Sequence, residues 1–415
     1  MSRRVVVTGL GMVTPLGNDV ETTWEAIKAG QSGITRITQY DPTGHSVQIA
    51  GEVKNFDPTA YVDSKEIRRR DRYQLFDYVA AMQAYQQSGF ELKTEEERNR
   101  MGIVVGSSVG GQKSFEDQIL MVERTQNLRK VTPFGIPMLV VNGASNMVSI
   151  SIGATGPSQT PASACATGAD CIGQAVDWIK LGRIDRALAG CGEAPILAIG
   201  IAVFDRVGAC SRNNDDPVHA MRPFSKDRDG LVFAEGAAVL MLEELEAAKA
   251  RGAEILAEIV GYGTTSDAYH ITAPEPQGIG ASRAIQQALD MAQLNPEDID
   301  YISAHGTATD LNDPMETKAV KRVFGDAAYK VPMSSTKSMT GHGMGMTAAL
   351  EGAFCVLALR DQVAPPTINY HEKDPECDLD YVPNEARDHK IKIAMTNSFG
   401  FGGHNSSLIF KKFEG

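Results

Sequence analysis

Gln159-Thr160-Pro161-Ala162-Ser163-Ala164-Cys165-Ala166-Thr167-Gly168-Ala169-Asp170 leads into a helical pattern over residues 166–181 that stops at Gly182. Glycine there stands in a C-cap position, and a short apolar run follows at residues 186–191. Loop, helix and buried strand in that order are the repeating unit of a parallel α/β fold. The alternation extends in both directions. Upstream, strands are predicted at residues 3–8 and 102–106 and helices near 66–87 and 114–126, with a closing strand at 237–242. Downstream, strands are predicted at 255–260, 301–304, 392–396 and 407–410, and helices near 282–292, 314–323 and 344–359. The order of elements repeats, dividing the chain into residues 1–252 and 253–415 about a hinge near Arg251 and Gly252. Two related sheets can then share a central helical layer and place loops from both halves in one cleft.

Of the 415 residues, 42% are hydrophobic, enough for a sizeable core. Forty Lys and Arg against 52 Asp and Glu leave a formal charge of −12. That balance argues against a surface that tracks nucleic acid or an anionic membrane throughout. No stretch approaches the roughly 20 apolar residues of a membrane span. The opening Met1-Ser2-Arg3-Arg4-Val5-Val6-Val7 breaks at Thr8-Gly9, too soon for a secretory leader. Cysteines 165, 171, 191, 210, 355 and 377 contain no CxxC pair, which argues against a disulfide framework or a zinc site. A soluble, reduced, cytoplasmic protein is expected. Gly9-Leu10-Gly11 lacks the third glycine of a dinucleotide fingerprint, with Thr14 in its place and Pro15 next, and reads as a tight turn after the first strand.

Cys165 is the residue this frame singles out. A thiol at the head of a helix meets the positive end of the macrodipole and free N–H groups, which favours the thiolate. Ala164, Ala166 and Gly168 leave room for a substrate. The other five cysteines lack this setting and read as core residues. Ser303-Ala304-His305-Gly306-Thr307-Ala308-Thr309-Asp310 puts His305 just past a strand. Ser335-Thr336-Lys337-Ser338-Met339-Thr340-Gly341-His342-Gly343 puts Lys337 and His342 before a helix rich in small residues. Loops at strand ends are where α/β folds keep their chemistry. A cysteine that holds an acyl thioester, with two imidazoles donating to one thioester carbonyl, suits an enolate formed as carbon dioxide leaves. A hydrolase would more often want one His oriented by Asp or Asn, and a metal would want a further ligand beside the two histidines.

Two further segments carry readings. Lys65-Glu66-Ile67-Arg68-Arg69-Arg70-Asp71-Arg72 is the densest basic cluster. It is either a solvated helix face or, through Lys65, Arg68 and Arg69, a docking patch for an acidic carrier protein, with Arg129 and Lys130 extending it. No aromatic residues interleave the charges as a nucleic-acid surface would require. Phe399-Gly400-Phe401-Gly402-Gly403 reads as a hairpin turn joining the last two strands, and its glycines also suit a mobile gate.

Four motifs, Ala164-Cys165-Ala166-Thr167-Gly168, His305-Gly306-Thr307, Lys337-Ser338-Met339-Thr340-Gly341-His342 and Asn397-Ser398-Phe399-Gly400-Phe401-Gly402-Gly403, carry a resemblance that spans the chain from Val5 to Lys412. The sequence resembles the β-ketoacyl-acyl-carrier-protein synthases, specifically the elongating condensing enzymes within the thiolase-like superfamily. The resemblance implies an α/β, thiolase-like, five-layered αβαβα fold built from two related halves and working as a homodimer. It implies that Cys165 accepts the acyl group, that His305 and His342 assist decarboxylation and condensation, and that Lys337 pairs with Glu351. It further implies an oxyanion hole from the backbone N–H groups of Cys165 and Phe401, and an acyl gate at Phe401. Phe399, Phe401, Thr307, Thr309 and Glu351 form the implied substrate-binding set, with Thr307 and Thr309 on the phosphopantetheine arm. No resident cofactor or metal is implied, because acyl-carrier protein brings the arm together with the acyl and malonyl thioesters. The implied reaction is the decarboxylating Claisen condensation of fatty-acid biosynthesis. The ketosynthase subunit of a type II polyketide synthase is the alternative. Gly135, Asp170 and His404 depart from the family pattern.

Overall fold

The computed structural model describes residues 3–415; Met1 and Ser2 of the opening run lie outside them. Strands β1 (Val5–Val13), β2 (Met101–Gly106), β3 (Arg186–Glu193) and β4 (Gly236–Glu244) come from the first half of the chain. β5 (Ala257–Ser266), β6 (Tyr301–Ser303), β7 (Met333–Ser334), β8 (Ile393–Gly400) and β9 (His404–Lys411) come from the second. The sheet order is β2-β3-β4-β1-β5-β9-β8-β6-β7. β4 runs antiparallel to both β1 and β3, and β3 runs parallel to β2. The second half repeats this pattern, with β9 antiparallel to β5 and β8, and β8 parallel to β6. β7 adds a short parallel edge beside β6. Residues 5–7 pair antiparallel with 257–259, so backbone hydrogen bonds cross from one half to the other.

Five helices complete the layers: α1 (Arg72–Gln87), α2 (Thr167–Lys180), α3 (Ile279–Ala292), α4 (Asn312–Phe324) and α5 (Gly345–Asp361). α1 covers the outer face of the first half-sheet, and α3, flanked by α4, covers that of the second. α2 and α5 lie between the half-sheets and touch strands of both. The result is an αβαβα stack. Its central layer is largely apolar, because α2 and α5 have sheet on two sides, with Asp170 on α2 and Glu351 on α5 as buried carboxyl groups within it. Gly168 is where they cross: a Cβ there would sit 2.5 Å from the Ala349 nitrogen and 2.6 Å from the Gly345 carbonyl oxygen. Only glycine admits backbones this close.

Two sequence expectations are corrected. Gly9-Leu10-Gly11 is not a turn; β1 continues through it to Val13, with a register shift between Val7 and Gly9. The glycines are present because α1 presses on the strand, and a Cβ at Gly9 or Gly11 would run into the carbonyl oxygen of Ala84 or Ala80. The helical pattern over residues 66–87 is also broken. Asp71 caps α1, its carboxylate accepting from the Tyr73 N–H at 3.1 Å while Gln74 accepts from the Asp71 N–H at 3.0 Å. The basic cluster therefore falls on a separate short helix, Ser64–Ile67, and on the residues that follow it. Among the described residues no helix is long and apolar enough to cross a membrane.

Candidate active site

Cys165 sits in a single 3-10 turn, Ala164–Ala166, immediately before α2. The chain turns sharply to enter it. Ala164 has φ +52°, a left-handed conformation that costs a non-glycine residue about 1–2 kcal/mol. Local bonds hold the turn: the Ser163 N–H donates to Thr167 Oγ1 at 2.9 Å, and the Thr167 hydroxyl donates to the Ala164 carbonyl at 2.8 Å. The backbone N–H groups of Phe401 and of Cys165 itself face the sulfur and favour its anion. Gly400 lets the hairpin approach this closely, since a Cβ there would lie 2.6 Å from the Ser163 carbonyl oxygen.

The two histidines come from the other half. His305 follows β6, and the N–H groups of His305 and Gly306 donate to the two oxygens of Glu316 on α4, at 2.8 and 2.7 Å. His342 follows the short helix Lys337–Thr340. Its backbone is clamped to the first half, its N–H donating to the Val232 carbonyl at 2.7 Å and its carbonyl accepting from the Ala234 N–H at 3.0 Å. The imidazole rings stand edge to face with centroids 5.5 Å apart. Cys165, His305, His342, Thr307, Thr309, Phe399 and Phe401 line one cavity of about 310 Å³. Thr307 and Thr309 are linked hydroxyl to hydroxyl at 2.9 Å. Phe399 packs edge-on against His305 at 5.6 Å, and Phe401 stacks on Phe204 at 5.3 Å.

Lys337 and Glu351 do not line that cavity. Glu351 is therefore not a substrate contact; both groups are fully buried behind the histidines, and Lys337 Nζ reaches Glu351 Oε1 at 2.5 Å. Burial raises the Glu351 carboxyl, and the Lys337 ammonium pulls it back down. Burial and then the Lys337 charge hold both imidazoles well below the usual histidine range, so they are neutral at pH 7. Burial likewise pushes Glu316 up to about 7, against the two N–H groups it accepts.

One expectation about Cys165 is overturned. The helix head and the Lys337 charge do favour thiolate, yet burial outweighs them and raises the thiol to about 11. The resting sulfur is a thiol. The other five cysteines are buried and free, as expected. Lys65, Arg68 and Arg69 are exposed and lie away from the cavity lining. Arg69 pairs with Glu66 at 2.8 Å and lies over the Phe134 ring at 4.9 Å. Gly135 opens the helix Gly135–Leu139, and His404 is exposed at the start of β9. Sequence reasoning missed Glu316 and Phe204. Glu316 left a usable trace, a carboxylate on the helix directly after the His305 loop. Phe204 left none.

A buried thiol at the start of an interior helix, with two neutral imidazoles brought over from a duplicated half, defines a condensing enzyme of the thiolase-fold kind. The chain belongs to the β-ketoacyl synthase family. Residues 2–248 match the family model described as Beta-ketoacyl synthase, N-terminal domain, and residues 256–371 that described as Beta-ketoacyl synthase, C-terminal domain. It is 49% identical over 415 residues to the 3-oxoacyl-[acyl-carrier-protein] synthase 2 of Staphylococcus aureus (strain COL), covering 100% of this chain and 99% of that protein. Among solved structures it is similar to a β-ketoacyl synthase from Burkholderia phymatum STM815, at 37% identity and TM-score 0.92, covering 99% and 100% of the two chains. It is also similar, at 34% identity and TM-score 0.92 with both chains fully covered, to a chain of a type II PKS acyl-carrier protein in complex with its ketosynthase.

A thiol raised to about 11 makes a prediction about pH. Only the thiolate reacts with an alkylating reagent, so labelling of Cys165 should climb about tenfold per pH unit between pH 7 and 9 and go on rising towards 11. Peptide mass spectrometry of the adduct measures this. A rate already level below pH 8 would show that a thiolate exists at rest.

Proposed function

We propose that the chain condenses an acyl thioester with malonyl-acyl-carrier protein, lengthening the acyl chain by two carbons in fatty-acid biosynthesis. The observation that carries this reading is the shared cavity of Cys165, His305 and His342. Its 49% identity to a 3-oxoacyl-[acyl-carrier-protein] synthase 2, against 34% to the polyketide ketosynthase chain, favours the fatty-acid pathway over the polyketide one.

Cys165 Sγ attacks the carbonyl carbon of an acyl-carrier thioester, and the carrier thiol leaves. A neutral thiol must give up its proton for this; a neutral imidazole sharing the cavity takes it and passes it to the departing carrier sulfur, so the carrier leaves as thiol and the imidazole is neutral again. The oxyanion of the tetrahedral intermediate falls to the N–H groups of Cys165 and Phe401. Malonyl-carrier protein then enters. The bond to its carboxylate breaks as carbon dioxide leaves, and the charge moves to the thioester oxygen, where N–H donors on His305 and His342 stabilise the enolate. The enolate carbon attacks the acyl carbonyl and Cys165 leaves as thiolate, which takes a proton from solvent to return to the resting thiol. Burial first, and then Lys337 paired with Glu351, keeps both imidazoles neutral, and each neutral ring still carries one N–H to donate. Thr307 and Thr309 offer hydroxyls along the cavity wall to a phosphopantetheine arm, which the carrier brings with it, and no resident cofactor or metal is needed.

Partners follow from the surface. Lys65, Arg68 and Arg69 give an acidic carrier protein a basic docking patch. Phe115, Ile119, Ile199 and Val203 are each roughly half exposed and line an apolar groove of about 480 Å³, which suits a second copy of the chain in a homodimer. Six free cysteines suit a reducing compartment, the cytoplasm.

Cys165→Ala should keep its fold and take up no acyl group by intact mass. His305→Ala and His342→Ala should each cut carbon dioxide release from malonyl-carrier protein on the order of 10²-fold or more. Undiminished release in both would remove the histidines from the reaction. Reversing charge at Arg68 and Arg69 should raise KM for carrier-borne substrate and spare small thioester analogues, and an equal effect on both substrate types would count against docking there.

A further inference from the structure

Asp170 lies in the first turn of α2, buried, five residues after Cys165. Its two oxygens receive three hydroxyls. Ser163 donates to Oδ2, while Ser406 and Tyr262 donate to Oδ1, the latter at 2.9 Å. Ser163 precedes the strained Ala164, and Tyr262 and Ser406 stand on β5 and β9 of the opposite half. β9 is the strand that leaves the Phe401 hairpin. The contact is a fitted one: Gly173, three residues further along the same helix face, has the Tyr262 ring where a side chain would be, and any Cβ would collide with it.

We propose that Asp170 is a positioning residue that ties the turn presenting Cys165 to the strand pair carrying the Phe401 hairpin. A left-handed alanine persists only where its neighbours over-determine it. On its N-terminal side, Ser163 is held twice, through its N–H by Thr167 and through its hydroxyl by Asp170. The oxyanion hole needs one N–H from each of the two tied segments, Cys165 from the turn and Phe401 from the hairpin. Without the carboxylate, the turn and the hairpin are free to shift against each other, and the sulfur and its oxyanion donors lose their mutual alignment. This inference rests on the reading of Cys165 as the acyl acceptor.

The test compares Asp170→Ala, Asp170→Asn, Ser163→Ala and the Asp170→Ala/Ser163→Ala pair with the parent protein, each checked for folding by its thermal transition. The readout is the rate at which Cys165 is acylated by an acyl-carrier protein thioester, followed by intact mass over a range of carrier concentrations. Asp170→Ala should lower the maximal rate about tenfold to a hundredfold, the scale of a small misplacement of reacting groups. The half-saturating carrier concentration should stay within about twofold of the parent, because no carrier contact is lost. Asp170→Asn, which keeps the size and one acceptor oxygen, should recover part of the rate. The pair should lose no more than the worse single variant, because both act through one bond. A folded Asp170→Ala acylated at the parent rate, or rate losses that add in the pair, would overturn the role. Should Asp170→Ala fail to fold, Ser163→Ala alone decides, since it removes a single hydroxyl: a slowed maximal rate upholds the role and the parent rate overturns it. A parent protein that takes no acyl group at Cys165 would instead overturn the proposed function.

Discussion

Everything in this molecule depends on two interior helices meeting backbone to backbone at Gly168 and Gly345. Gly168 stands three residues after Cys165, and Gly345 three residues after His342. The crossing therefore fixes where the Cys165 thiol of one half lies relative to the His342 imidazole of the other. Each helix starts at the cavity and runs back between the half-sheets, where apolar side chains from both hold it on two sides. The active site is thus a property of the duplication. Neither half owns it, and each supplies what the other lacks.

The electrostatics of that junction follow from its dryness. Burial turns Cys165 into a thiol and both histidines into neutral bases, and Lys337 with Glu351 is the ion pair set directly behind them. Breaking such a buried pair by removing one partner typically costs about 3–5 kcal/mol, because a lone charge is stranded. The same low-dielectric surroundings strengthen any hydrogen bond to charge that develops during reaction. N–H groups fixed in advance, at Cys165 and Phe401, are worth most in such a setting.

Much of this was legible in the residues, and the failures have physical causes. The loop–helix–strand unit around Cys165 and the loops bearing His305 and His342 follow from spacing and composition, because glycine, threonine and small residues punctuate strand ends strongly. The length of β1 was not legible, since Gly9-Leu10-Gly11 has the composition of a turn and is a strand only because α1 lies against it. The break at Asp71 hid inside a continuous helical pattern, and β7, with two residues, is too short to show a period. The anionic sulfur was inferred from local rules alone; the tertiary burial that overrides them is invisible in a linear string. Glu351 was placed among substrate contacts by motif, and depth in the fold moved it behind the histidines. Asp170 was noticed as a departure, but its three hydroxyl partners lie 7, 92 and 236 residues away, and no pattern in a single sequence joins them.

The most direct test of the central claim is a crystal structure of the protein carrying an acyl group. The account places that group on Cys165 Sγ, with its carbonyl oxygen about 2.7–3.1 Å from the backbone nitrogens of both Cys165 and Phe401 and its carbonyl carbon open to the side where His305 and His342 stand. An acyl group attached to any other residue, or a carbonyl turned away from both nitrogens, would contradict it.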